Sequence, residues 1–242
     1  MDPLQQASAI LRGAAYLCVL TGSGISAESG IPTFRGAGGY WRERNFMELA
    51  TPEAFGTDPR LVWDWYLERR RTALACEPNA AHVALAEWSK TGRGLLITQN
   101  VDGLHERAGH RNVVRFHGSM WRNRCLACGT EREAADLEYP KLPRSPCCGA
   151  LERPGVVWFG EAIPEAATQA AFDAVRQADV VLVIGTSGAV YPAAGLVAEA
   201  RSRGAKAVEV NPDATPLRVD LALRMPASAA VPAILAGLIP AG

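Results

Sequence analysis

Short apolar runs recur along the chain at residues 16–21, 95–98, 113–116, 180–184 and 206–210, and each gives way to glycine or polar residues. Runs of this length suit strands buried on both faces. Between them, apolar residues return every three or four positions. Residues 60–74, 80–90, 165–177 and 193–203 therefore read as helices, as does 2–12, where Leu4, Ala7, Ile10 and Leu11 share one face.

Strands alternating with helices predict an α/β fold, a Rossmann-like parallel sheet covered on both faces. In such sheets ligands bind beyond the carboxyl ends of the strands. Those ends carry Gly22-Ser23-Gly24, Gln99-Asn100-Val101-Asp102, His117-Gly118, Gly185-Thr186-Ser187 and Asn211-Pro212. Two regions break the alternation. Residues 36–75 hold a glycine-rich loop and then a helix rich in aromatic residues and arginine. Residues 121–155 hold four cysteines, several prolines and little apolar periodicity. The expected organisation is a sheet domain from 1–35, 76–120 and 156–242, a loop-and-helix part at 36–75, and a small metal-dependent insertion at 121–155.

Composition narrows the function. The 242 residues are 48% hydrophobic and 21% charged, with a formal net charge of zero, which argues against nucleic acid as the main partner. No apolar run approaches the ~18–20 residues of a membrane span, and the first twelve residues lack the apolar centre of a signal peptide. The expectation is a soluble, cytoplasmic protein with no membrane partner, in which six cysteines are reduced or metal-bound.

Gly22-Ser23-Gly24-Ile25-Ser26-Ala27 follows a strand and fits the glycine pattern that lets a backbone approach a pyrophosphate. By itself the pattern also describes a tight strand-to-helix turn. A dehydrogenase would reach a second strand ending in an acid about 20 residues on, but this chain runs into Gly36-Ala37-Gly38-Gly39, so that class is disfavoured. Cys125-x-x-Cys128 with Cys147 and Cys148 suggests structural zinc, although the second pair is adjacent and Ser145 stands where its first cysteine would be. Cys147 substitutes by a local backbone shift, or the site has three sulfurs. Cys18 and Cys76 are isolated and read as buried thiols. Of four histidines, His82 and His110 read as surface or satisfied core residues and His105 as structural. His117 lies at a strand end beside Gly118, where an imidazole titrating near neutrality suits a general base.

Five separated motifs together resemble the sirtuin family. Gly22 to Ser26 with Gly30-Ile31-Pro32-Thr33-Phe34-Arg35 resembles its first signature, and Thr98 through His105 the second. Phe116-His117-Gly118 resembles the third, with Gly185-Thr186-Ser187 and Val208-Glu209-Val210-Asn211 as the downstream nucleotide motifs. Ser23 stands where the family usually has alanine. The resemblance implies NAD as a consumed co-substrate and acylated protein lysines as partners. Gly22, Ser23, Gly24, Ser26, Ala27, Gly30, Ile31, Thr33, Phe34 and Arg35 would form the loop over the pyrophosphate and nicotinamide ribose. Gln99 would contact the ribose, and Asn100, Val101 and Asp102 would surround the nicotinamide. Gly185, Thr186, Ser187, Asn211 and Ala227 complete the expected cofactor contacts. The implied catalytic residues are His117, Asn100 and Asp102. In the implied reaction the acyl oxygen attacks the ribose carbon as nicotinamide leaves, and His117 then deprotonates a ribose hydroxyl.

Tyr66 and Arg69 lie three apart and share a helix face. With Ala37 they resemble the class III subgroup that accepts succinyl-lysine and malonyl-lysine, Arg69 pairing with the distal carboxylate and Tyr66 adding a donor. Val157, Trp158, Phe159 and Gly160 resemble the family's substrate-contacting segment. Two other functions remain open at this stage: an ADP-ribosyltransferase using the same nicotinamide chemistry, and a non-catalytic NAD-sensing module.

Overall fold

The computed structural model describes residues 2–33 and 49–239. Phe34, Arg35 and Ala37 lie outside the described residues. Six parallel strands form the main sheet: β1 (Leu17–Thr21), β2 (Gly94–Thr98), β3 (Val113–Arg115), β7 (Val180–Ile184), β8 (Lys206–Val210) and β9 (Leu221–Leu223). Their order is β3-β2-β1-β7-β8-β9. The order reverses between β1 and β7, where Thr21 pairs with Ile184. The α/β reading with a Rossmann-like sheet is therefore correct, and the reversal opens the crevice in which such sheets bind ligands.

Helices cover both faces. On one side α1 (Pro3–Arg12), α5 (Ala80–Ser89) and α9 (Ala227–Leu235) pack on Val19, Leu96, Leu182 and Val208. On the other, α7 (Glu165–Gln177) and α8 (Ala193–Ser202) pack on Leu20, Ile97, Val181 and Val183. Alternate residues of each strand thus face opposite cores, which explains the unbroken apolar runs. Local signals set the helix ends. Asp2 accepts from Leu4 N–H at 2.8 Å with Pro3 in the first turn, and Asp58 accepts from Leu61 N–H at 2.9 Å with Pro59 behind it.

A second sheet stands apart, antiparallel and three-stranded: β4 (Gly118–Cys125), β5 (Glu131–Glu133) and β6 (Glu152–Val156), in the order β5-β4-β6. Here the sequence showed little periodicity, because much of the buried surface is polar. Asn123 donates to Glu152 Oε2 at 2.9 Å, and Arg132 binds the same carboxylate at 2.7 Å. A third apolar cluster joins this sheet to α3 (Pro52–Thr57) and α4 (Pro59–Ala75) through Phe55, Trp63, Tyr66, Met120, Val156 and Trp158. Two short helices, α2 (Gly24–Ala27) and α6 (Leu104–Arg107), follow β1 and β2.

Candidate active site

At the reversal point the loops after β1 and β7 touch. Gly185 has φ +59°, and a side chain there would stand 2.3 Å from Ile25 N; one on Gly24 would stand 2.7 Å from Gly185 Cα. Glycine alone permits this approach. Above these loops opens a cleft of about 550 Å³, the size of small-molecule sites. It runs from Asn211 and Ser187, past Gly22, Gln99 and His117, to Trp158, Tyr66 and Arg69.

Hydrogen bonds fix its polar side chains. Gln99 Nε2 donates to Thr186 Oγ1 at 3.0 Å, and Asn211 Nδ2 donates to Thr186 O at 2.9 Å. Asn100 Nδ2 donates to Gly22 O at 3.1 Å and to Ser26 Oγ at 3.3 Å. Ser26 in turn donates to Asp102 Oδ2 at 2.8 Å, while Leu104 N–H reaches Oδ1 at 2.9 Å. Burial pushes the Asp102 carboxyl above its ordinary pKa, and the Leu104 and Ser26 hydrogen bonds oppose it. A side chamber of about 20 Å³ adjoins the cleft between Asp102, Asn100, Ile31, Met120 and Arg69.

His117 is oriented by the chain itself. Its Nδ1 lies 3.1 Å from Gln99 O, and a carbonyl only accepts, so Nδ1 carries the proton and Nε2 keeps its lone pair. Burial lowers the pKa below 6.5, against the opposing Gln99 hydrogen bond. The ring is consequently neutral at pH 7, the state a base requires. Gly118, with φ +76°, turns the chain immediately after it, and a side chain there would strike Gly155 O at 2.3 Å.

At the far end, Tyr66 and Arg69 project from α4. Trp158 Nε1 donates to the Tyr66 hydroxyl at 3.0 Å, and the Arg69 guanidinium stacks 4.8 Å from the Trp65 ring centre and 5.4 Å from that of Tyr66. Burial raises the Tyr66 pKa, with Arg69 opposing, so the phenol stays protonated at neutral pH.

Most of the nominated residues meet in this cleft. Gly22, Ser23, Gly24, Ala27, Thr33, Gln99, Asn100, Val101, His117, Gly185, Thr186, Ser187 and Asn211 line it, as do Tyr66, Arg69, Val157, Trp158, Phe159 and Gly160. Ile31 and Asp102 line the side chamber. Ser26 is fully buried beneath, joining Asn100 to Asp102. Gly30 lies next to Cys76, outside both linings. Ala227 also lies outside both, buried at the first turn of α9. Sequence reasoning missed Val190, exposed Tyr191, and Asp213 to Thr215, which line the Asn211 end. It also passed over His82, whose Nε2 stands 3.4 Å from Ser26 Oγ. No local pattern signals that contact, since 56 residues separate the two.

The four cysteines converge, their sulfurs all within 4.8 Å of one another. Cys128 and Cys147 sulfurs are 3.0 Å apart, and those of Cys125 and Cys148 are 3.4 Å apart. Despite their adjacency, both Cys147 and Cys148 therefore reach the cluster. Four thiols at this spacing fit tetrahedral zinc with ~2.3 Å bonds. With four sulfurs around it a zinc ion would have no position left for water, so a metal held there would be structural.

Residues 22–192 match the family model described as the Sir2 family. An NAD-dependent protein deacylase of Ralstonia nicotianae is 47% identical over 235 residues, 96% of this chain and 95% of that protein. A protein of the same description from Thermococcus kodakarensis is 46% identical over 243 residues, covering 96% and 94%. Among solved structures, a Sir2 homologue in complex with NAD superposes with a TM-score of 0.92 at 45% identity, covering 98% of this chain and 94% of that one. A Sir2 complex with a deacetylated p53 peptide and 3'-O-acetyl ADP-ribose superposes at 0.89 with 31% identity, covering 99% and 100%.

Proposed function

The chain belongs to the Sir2 family, and from that membership we propose that it is an NAD-dependent protein-lysine deacylase preferring succinyl and malonyl groups while retaining some deacetylation. The observation that carries the acyl preference is the placement of Tyr66 and Arg69 on one wall of the cleft that also holds His117. A phenol and a guanidinium side by side suit a carboxylate, which each binds by a charge-assisted hydrogen bond. An acetyl group offers them nothing.

In this reading Gly22 to Thr33, Gln99, Gly185 to Ser187 and Asn211 hold NAD, and the side chamber beside Asn100 and Asp102 receives its nicotinamide. NAD supplies a ribose carbon that becomes electrophilic as nicotinamide leaves, and the acyl oxygen of the substrate bonds to it. His117 Nε2 removes a proton from a ribose hydroxyl, whose oxygen then attacks the acyl carbon. The lysine amine would then depart with the proton His117 took, and a water molecule would add to the acyl carbon. Cleavage of that carbon's bond to the original acyl oxygen would leave this oxygen on the ribose carbon as a hydroxyl, giving lysine, nicotinamide and O-acyl-ADP-ribose. Val157 to Gly160 bound the channel for the lysine stem.

We assign the sheet part to 1–35, 76–120 and 156–242, the loop-and-helix part to 36–75 and the zinc module to 121–155. The separate apolar cluster joining α4 to β4 and β6 supports that division. The reading is tested by competition among succinyl-, malonyl- and acetyl-lysine peptides with NAD, following nicotinamide release and peptide mass. Succinyl and malonyl peptides should be consumed first. A peptide that gains the mass of ADP-ribose would instead mark a transferase, and binding of NAD without nicotinamide release a sensor.

A further inference from the structure

Tyr66 does not stand alone in the acyl pocket. The indole N–H of Trp158 has only a proton to give, so at 3.0 Å the Tyr66 oxygen is the acceptor. The hydrogen of the phenol is thereby turned away from Trp158 and left for another acceptor, in a cleft wall shared with Arg69. Trp158 is itself held from three directions. Its backbone N–H donates to Glu161 Oε2 at 2.8 Å. The Arg153 guanidinium lies 3.3 Å from its ring centre and forms a double ion pair with Glu161. Phe55 packs on it at 5.3 Å between ring centres. Arg153 is almost wholly buried and also donates to Val156 O at 2.7 Å. This is far more restraint than a channel wall contacting only a lysine stem requires.

We infer that Trp158, braced by Arg153 and Glu161, is a specificity-positioning residue: its indole N–H aims the Tyr66 hydroxyl so that it donates to the carboxylate of the acyl group. The inference rests on the proposed preference for carboxylated acyl groups. It predicts that the Trp158 indole nitrogen affects acyl choice through Tyr66 and through nothing else.

The test is a double-mutant cycle read as the ratio of kcat/KM for succinyl-lysine to that for acetyl-lysine peptides. Trp158→Phe keeps an aromatic ring and removes the donor. It should lower the ratio by about three- to tenfold, an effect of the size of one modest hydrogen bond, carried mainly in the succinyl KM. Tyr66→Phe should lower it at least as far. In the Tyr66→Phe background, Trp158→Phe should change the ratio no further. A merely structural role would lower both substrates together, or act equally in both backgrounds, and either outcome overturns the inference. If Trp158→Phe does not fold, Glu161→Gln carries the cycle, since it weakens the brace without touching the indole. A smaller fall in ratio is then expected, again absent in the Tyr66→Phe background, and an equal fall in both backgrounds overturns the inference. If Tyr66→Phe and Arg69→Met both leave the ratio unchanged, the succinyl reading has failed and the inference falls with it. If those two lower the ratio and Trp158→Phe does not, the inference alone has failed.

Discussion

Lowering the pH from 7 to 5 is expected to weaken the fold by several kcal/mol through its histidines, of which His82, His105 and His110 form one buried cluster and His117 adds to the same effect. His82 and His105 ring centres lie 4.9 Å apart, and His105 and His110 lie 6.1 Å apart. His82 Nδ1 accepts from Asn79 N–H at 3.3 Å, and His105 Nε2 meets Thr21 Oγ1 at 3.0 Å. Neither ring nitrogen of His110 has a partner among the described residues. Burial lowers the pKa of His82 and of His110 to about 4 and that of His105 well below 6.5. The unfolded chain, titrating near 6.5, therefore takes up protons before the native state does. Stability is complete above pH 6.5 and is lost as pH falls, until each native pKa is passed. At ~1.4 kcal/mol per pH unit and proton, His82 and His110 each cost about 2 kcal/mol between pH 7 and 5, against a total stability of ~5–15 kcal/mol. Glu152 and Glu161, held below their ordinary pKa by Arg132 and Arg153 against burial, lose their contribution only below about pH 4.5 and do not enter this window. Urea melts followed by tryptophan fluorescence measure the effect. Thiolate protonation at a zinc site also acts here, so the decisive comparison is with His110→Phe, which keeps a ring against Trp88 (6.2 Å between centres). That variant should lose about 2 kcal/mol less than wild type over the same interval. Equal pH dependence in the two proteins would refute the assignment.

Three further outcomes are expected. Arg69→Met should lower kcat/KM for succinyl peptides by ~10–100-fold, the value of a hydrogen bond between charged groups, and for acetyl peptides much less; parallel kinetics on the two peptides decide, and equal losses would contradict the pocket. His117→Ala should reduce turnover by ~10²–10⁴-fold, measured as nicotinamide release at saturating NAD, and near-normal turnover would remove it as the base. Metal analysis of purified protein should find one zinc per chain, and Cys128→Ser should lower both zinc content and melting temperature; a folded, active protein without zinc would exclude the site.

How much was legible in the chain depended on where the chemistry was local. Five of the six strands of the main sheet and the longer helices followed from periodicity because apolar burial dominates there, as in Val180–Ile184, buried at every position. Strand-end motifs were legible for the same reason, each polar group following directly on an apolar run. β6 was not, since Glu152–Val156 is buried throughout yet begins with two charged residues and contains proline and glycine. Glu152 is paired with Arg132 and accepts a hydrogen bond from Asn123, and Arg153 is paired with Glu161, partners that no hydropathy pattern connects. β9 is only three residues long, and α9 contains Pro232, so each fell below what local signals resolve. In the site, Ser26, His82 and Asp102 form one hydrogen-bonded group from three distant segments. The motif identified Ser26 and Asp102 singly and could not show that they touch.

The helix carrying Tyr66 and Arg69 is gripped by the cysteine-bearing module. Trp63 Nε1 donates to Glu152 O at 3.0 Å. Fully buried Arg70 donates to Met120 O at 2.6 Å, Asp136 O at 2.9 Å and Asn123 Oδ1 at 3.0 Å. Trp63 and Arg70 are two turns apart on one face of α4; Tyr66 lies between them, three residues from one and four from the other, and Arg69 stands at the side of that face, so holding Trp63 and Arg70 sets where both cleft residues point. Rotation of α4 is thus fixed by β4, β6 and the 136–139 loop, whose own small and polar core would rely on zinc bound at the four cysteines. The floor that would hold NAD belongs to the main sheet and has no such dependence. Partial zinc removal by a chelator should therefore reduce desuccinylation before it reduces NAD binding, because it loosens the aim of Arg69 before it disturbs Gly185 or Asn211. Measuring succinyl kcat/KM and NAD affinity on the same chelated samples checks this. Simultaneous loss of both would mean that the module supports the whole fold and not the acyl pocket in particular.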